Sequence, residues 1–293
     1  MANAYYWLTK KINSKFPNTE NSRHARKTWL KRVPKITFSK IVLALTIVFL
    51  FIPLIVTIAE SFHYKNPETL AESNFSLHWY RELLFGSDEL WNALFNSVVI
   101  ALSSSIVATI LGTIASIGIN WYKFKGKSYI QTISFLPMVL PEVIIGVATV
   151  IFFSGIKLPL GMFTIFAAHT TFCLPFVYMM VNARLDEFDH SLIEASHDLG
   201  ANDFETLTKV TIPAIMPGIL SGFMMAITMS LEDFVITFFV SGPGSTTLPI
   251  YIYSMIRFGV SPVINALSLV VVLATCTTAF FLRKGLKTIA ASK

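Results

Sequence analysis

The chain has 293 residues, 54% of them hydrophobic and only 14% charged, with a mean hydropathy of +0.62. Soluble domains carry about 25% charged residues, so a water-soluble globular body is excluded for most of the length and lipid is the expected surrounding. The net charge of +6 lies on segments that flank apolar runs, which excludes a nucleic-acid-binding domain and favours anionic headgroups as neighbours.

Residues 1–40 are basic and carry Tyr5, Tyr6 and Trp7 beside Lys10 and Lys11. An interfacial amphipathic helix and a disordered basic tail are both open for this segment. Six apolar runs of about 20 residues follow, the length a crossing requires: Ile41–Ala59, Ser97–Ile119, Ile130–Phe153, Met162–Val181, Ala214–Val240 and Val263–Leu282. The first reads as a retained crossing, because too much chain precedes it for a signal peptide and no small-residue cleavage site follows. Of the 23 Lys and Arg, nineteen fall in residues 1–40, in the connectors after the second and fourth runs, and after the sixth. The other connectors hold Lys65, Arg81, Lys157 and Arg257 alone. This asymmetry puts both termini in the cytoplasm.

The outer connector from about Glu60 to Asn96 contains Trp79, Tyr80 and Trp91, expected in short helices at the membrane surface. It also holds the loose glycosylation pattern Asn74-Phe75-Ser76. Within the runs, Pro137 and Pro141 interrupt the third, Pro175 the fourth, and Pro217 opens the fifth. Each removes a backbone donor, and the freed carbonyls need partners in a bundle or a water-lined cavity. Cys173 and Cys276 fall in apolar runs and are expected as small buried hydrophobes.

Three acids lie at membrane depth. Glu142 stands about 18 Å along the third run, near the midplane, and Glu232 and Asp233 about 27 Å along the fifth, toward its outer end. A carboxylate in a crossing costs about 2.5–3.5 kcal/mol on insertion scales, and no Lys or Arg in the central part of any run pairs with these. They are expected to line a water-filled vestibule that attracts a cationic solute, against plain exposure at the mouth for Glu232 and Asp233 and a hydrogen-bonded acid beside Pro141 for Glu142. His169 is expected as a helix–helix hydrogen-bond partner. No catalytic site is found. Gly126-Lys127-Ser128 resembles the tail of a phosphate-binding loop, but Trp121 stands where its first Gly belongs, and the cradle cannot form without that turn.

The connector between the fourth and fifth runs is polar and about 30 residues long, too long for a simple link. Ser191-Leu192-Ile193-Glu194 has the form of a capping box. A short helix is expected to run to about Leu199 and to stop at Gly200, suited to a left-handed cap. Leu192, Ala195 and Leu199 share one face, and the small Ala195 and Ser196 permit close approach by a partner. Asn202 and Glu205 repeat the capping pattern ahead of Ile212-Pro213.

Glu194, Ala195, Ser196, Gly200, Val210, Ile212 and Pro213 resemble the permease signature of bacterial ATP-binding-cassette importers, with Ser196, Val210 and Ile212 as conservative departures. The resemblance extends over nearly all six runs and is nearest to the second permease subunit of spermidine/putrescine importers. It is carried by His169 to Val177, Leu231 to Phe234 with Ser241-Gly242-Pro243, Ile252 to Met255 with Gly259 to Pro262, and Pro141-Glu142. It implies an all-α membrane protein with six transmembrane helices and the type I importer permease fold. The domain partition is a basic segment 1–40, a permease domain 41–282 with its coupling loop at 183–213, and a tail 283–293. Expected partners are two ATPase subunits that carry the ATP and Mg, a second homologous permease, an extracytoplasmic substrate-binding protein and lipid. A permease for thiamine, an opine or iron, an ion-driven secondary transporter and a non-transporting scaffold are the rival readings.

Overall fold

The structure is a computed structural model describing residues 38–65, 72–73, 75–258 and 262–291. The expectations placed on Tyr5 to Lys11, on Asn74 and on Gly259 to Ser261 lie outside the described residues. The chain divides into two compact units, Met1–Glu60 and Ser61–Lys293. Most of α1 (Phe38–Phe62) belongs to the first. Its two threonines return their hydroxyls to the preceding turn, Thr46 to the Val42 carbonyl at 2.9 Å and Thr57 to that of Pro53 at 2.9 Å. The hydroxyls in the middle of this mostly apolar helix thereby stay satisfied in lipid.

Among the described residues the second unit is helical apart from connecting turns and a ladder of two-residue strands, β1 (Tyr64–Lys65) against β2 (Glu72–Ser73). A short helix α2 (His78–Phe85) precedes the long α3 (Asp88–Trp121). α4 (Lys127–Ser134), α5 (Leu136–Val139) and α6 (Glu142–Gly155) cover the third apolar run. α7 (Met162–Asp186) is the fourth. The connector folds as α8 (Ser191–Asp198) and α9 (Asp203–Thr206), then passes through a π-helical turn, Leu207–Thr211, into α10 (Ile212–Glu232). α11 (Val235–Val240), α12 (Leu248–Phe258) and α13 (Val263–Ala291) complete it. Among the described residues four helical segments are long and apolar enough to cross a membrane, and a bent pair adds a fifth candidate. With α13 they follow the order of the six apolar runs.

The core is α3, α7 and α10 packed on one another. Lipid tails are as apolar as leucine, so membrane helices associate through close packing and interhelical hydrogen bonds, which small residues allow. Here Gly218, Gly222, Ala226 and Ser230 line the buried face of α10 at every fourth position. Ala108, Gly112 and Ser116 do the same on α3. Val177 of α7 sits between them: a Cβ on Gly112 would lie 2.9 Å from its Cγ1, and one on Gly222 3.2 Å from its Cα. A second apolar cluster joins Leu83, Leu90, Val263, Ala266 and Leu267, with Trp79, Tyr80 and Tyr251 against it. Trp79 and Trp91 anchor there by indole hydrogen bonds to the carbonyls of His63 and Leu83, each 2.8 Å.

Several expectations need correction. The third run is interrupted at Pro141 as expected, but its two halves meet at 108°, a bend the straight-rise count ignored. Leu140 is extended at φ −74°, ψ 139°, as a residue before proline must tend to be. The depth of Glu142 counted along a straight rise therefore does not hold. The fifth run also breaks, because Asp233 is extended at φ −65°, ψ 121° and ends α10. α7 continues through Pro175 without interruption. α3 begins nine residues before the apolar run it contains, with Asp88 and Glu89 in its first turn, where the helix dipole favours acids. Cys173 is buried, but Cys276 is exposed. The helical backbone of α13 runs past residue 282 into the expected tail.

Candidate functional site

The connector after α7 is held by local hydrogen bonds. The expected Ser191–Glu194 capping box does not form: His190 occupies the N-cap without a side-chain bond. Asp189 takes over, accepting the Ser191 backbone N–H at 2.9 Å. The hydrogen bonds from the backbone and hydroxyl of Ser191 hold the Asp189 carboxyl below the ordinary aspartate range. α8 ends as expected at Gly200, which adopts φ +86°, a left-handed backbone that glycine takes without a Cβ clash. The Ala201 N–H reaches the Ser196 carbonyl at 3.0 Å and the Gly200 N–H that of His197 at 2.9 Å. These are the two bonds of a Schellman ending. The second capping box forms: the Glu205 N–H donates to Asn202 Oδ1 at 2.9 Å, and the Asn202 N–H to Glu205 Oε2 at 3.3 Å. The chain then runs into α10 without a gap. Proline at 213 has no N–H to give, and the Ile212 N–H reaches back five residues to the Leu207 carbonyl, the local widening by which a π turn accommodates an interruption.

Of the signature residues, Glu194 and Ala195 are exposed on α8, Gly200 and Pro213 are exposed, and Val210 and Ile212 are half-buried. Ser196 is turned inward, its hydroxyl 2.8 Å from Thr206 Oγ1. It ties α8 to α9 and is not part of a face open to a partner, contrary to expectation. Among the exposed polar side chains of the loop stand three large apolar ones: Leu199 is 89% exposed, Phe204 72% and Leu192 46%.

At the other end of α10 the three acids divide. Glu142 and Glu232 are exposed. Glu142 opens α6 directly after Pro141, and its carboxylate is within electrostatic reach of Asp233 and Glu232. Asp233 is 7% exposed and its carboxylate is engaged. Its Oδ1 accepts the Ile236 N–H at 3.2 Å, and its Oδ2 the Thr237 N–H at 2.8 Å and the Thr237 hydroxyl at 2.7 Å. It caps α11. His169 of α7 faces the same group, with Nε2 3.1 Å from Asp233 Oδ2 and 2.8 Å from Thr237 Oγ1. Its Nδ1 is 2.7 Å from Ser230 Oγ, which lies 3.3 Å from Ser104 Oγ on α3. His169 is thus the interhelical hydrogen-bond partner expected. The partner of Asp233 is thus a histidine, not a Lys or Arg. Ser104, Ser230 and Thr237 were missed. The signal for Ser230 was present, since it continues the four-residue spacing of Gly218, Gly222 and Ala226.

Among the described residues no group of three or more His, Cys, Asp or Glu is arranged to hold a metal ion.

Residues 108–283 match the family described as binding-protein-dependent transport system inner membrane component. The chain is 36% identical over 220 residues to the spermidine/putrescine transport system permease protein PotC of Escherichia coli K12, covering 75% of this chain and 83% of that protein. It is 38% identical over 235 residues to the putrescine transport system permease protein PotI of the same strain, covering 78% and 83%. Among solved structures, a crystal structure of a bacterial ABC transporter involved in the import of the acidic polysaccharide alginate matches with a TM-score of 0.67 at 15% identity. That match covers 84% of this chain and 94% of that one, and it speaks to the fold alone. Family, relatives and fold agree with the importer-permease resemblance of the 194–213 loop, and the chain belongs to the binding-protein-dependent transport system inner membrane components.

Proposed function

We propose that this permease forms half of the path of an ATP-driven importer for spermidine, putrescine or a closely related polyamine. The observation that carries the solute assignment is the pair of exposed carboxylates, Glu142 and Glu232, set where two apolar helices break. Exposed acids at such breaks concentrate a flexible polycation, since opposite charge in a low-dielectric cleft raises its local concentration. The two relatives named for polyamine transport support the same solute class. The path is completed by a second, homologous permease, and an extracytoplasmic binding protein delivers the solute.

The chain supplies no ATP chemistry. ATP and Mg are held by two ATPase subunits, and the 183–213 loop faces the cytoplasm with both chain termini. Leu192, Leu199 and Phe204 enter the ATPase surface, while Gly200 and the Asn202–Glu205 cap set the angle between α8 and α9. Closure of the ATPases then moves α10, which follows α9 without a gap, and rocks the two permeases between inward and outward openings.

The test is uptake into vesicles holding the assembled transporter. Replacing Glu142 and Glu232 together by Gln is expected to raise the half-saturating putrescine concentration by about 10-fold or more, the effect of losing one or two charge-assisted contacts. Uptake is expected to stop when ATP is withdrawn. An unchanged half-saturation removes the solute assignment, and uptake sustained by an ion gradient alone removes the ATP-driven mechanism.

A further inference from the structure

The buried cluster around His169 has no part in the path as described, and its geometry gives it one. α11 is a six-residue helix, too short to hold its own position. It is gripped at both ends by α7. At its start Asp233 caps it and His169 holds Asp233 and Thr237. At its end Thr164 Oγ1 donates to the Val240 carbonyl at 2.8 Å. α11 in turn carries α6. A Cβ on Gly146 of α6 would lie 2.6 Å from Phe239 Cδ2, so the two helices meet at a glycine-sized gap and α6 cannot move closer to α11 without displacing Phe239. Glu142 is the first residue of α6, and Glu232 the last of α10 before the break that Asp233 makes.

From this we infer that His169 is a positioning residue: through Asp233 and Thr237 it sets α11, and through α11 and Gly146 it sets the spacing of the Glu142 and Glu232 carboxylates. Asp233 on this account does not touch the solute. Its carboxylate is spent on two backbone N–H groups, a hydroxyl and an imidazole, while its neighbour Glu232 stays exposed. Ser230 and Ser104 extend the same cluster to α10 and α3, so the helices of the core share one reference point for the acid pair. Apolar side chains in place of this cluster would leave the N-terminus of α11 without partners, a cost that lipid does not relieve. The inference deepens the acidic-path reading and rests on it for its consequence in transport.

The experiment uses two readouts on the assembled transporter in lipid vesicles. In the first, spin labels are attached at Glu142→Cys and Glu232→Cys in a Cys276→Ser background, Cys173 being buried, and the distance distribution is measured by pulsed electron resonance. His169→Ala is expected to shift or broaden it, and His169→Gln, which keeps a donor toward Asp233, to restore much of the native distribution. An unchanged distribution overturns the positioning role. In the second, with the native acids present, His169→Ala is expected to raise the half-saturating putrescine concentration by about 10-fold while the maximal rate falls less. In the Glu142→Gln, Glu232→Gln background it is expected to add nothing further. A shifted distance with no change in half-saturation for any of these variants keeps the positioning role and removes the solute path. An additive effect in the double-Gln background overturns the route through the acids. Should His169→Ala prevent assembly, Thr237→Val removes one hydroxyl of the same cluster and is read identically.

Discussion

The two ends of α10 solve one problem, how to stop and restart a helix, with different means. At its start the solution is local. Asn202 and Glu205 cap each other, Gly200 turns the chain through φ +86°, and Ser196 reaches Thr206 ten residues away. At its far end the solution is long-range: Asp233 ends the helix, but His169, 64 residues earlier in the chain, holds the Asp. In water a loose polar group finds solvent. In lipid it must find protein, so the buried break draws partners from four elements, whereas the loop keeps to itself and leaves Leu199 and Phe204 outside. Precision at the buried break is built from tertiary contacts, and reach at the loop from exposed side chains on a locally stiff frame.

That contrast can be broken or sharpened by substitution. The largest effect is expected at Gly222→Leu, which drives a side chain against the Val177 backbone 3.2 Å from its Cβ. Overpacking costs about 1–3 kcal/mol, and both ends of α10 should suffer together, read as loss of folded protein from the membrane. Normal amounts and normal transport would mean that the three-helix core is looser than its contacts imply. Next is Gly200→Val. A left-handed backbone costs an L-residue about 1–2 kcal/mol, so the Schellman ending should fail while the His169 cluster stays intact. Solute-stimulated ATP hydrolysis should fall by about 10-fold with solute binding retained; retained hydrolysis would show that the loop's angle does not matter.

The smallest effect concerns pH. The Asp189 carboxyl is held below its ordinary range by Ser191. Its contribution is therefore present above the unfolded aspartate value and is lost as pH falls through the lowered folded value. Amide exchange at Ser191, corrected for the intrinsic rate, should lose protection only at pH below that of an ordinary aspartate, and Asp189→Asn should flatten the dependence. Protection lost already near neutral pH would place the control elsewhere.

The legibility of the two ends follows the same division. Gly200 and the Asn202–Glu205 pair were readable because their partners lie within a few residues. The Ser191 box was misread because Asp189, two residues earlier, competes for the same N–H and wins. The three acids were legible as a group at membrane depth, but nothing in the run Leu231 to Phe234 tells Glu232, which is exposed, from Asp233, which is not. Pro141 announced an interruption in the third run, but not that its halves would meet at 108°.

Composition, the six apolar runs and the short-range grammar of the 189–213 loop determined that this is a mostly helical membrane protein with an ordered polar loop, because burial in lipid and helix capping depend on residues close together in the chain; the permease assignment came from the resemblance of that loop to a known family. Which acid stays exposed, which caps α11, and how α6 leans on Phe239 were decided by the packing of α3, α7 and α10. Those outcomes turn on ångström-scale contacts between residues as far apart as Ser104 and Ser230, and no local pattern encodes such a distance.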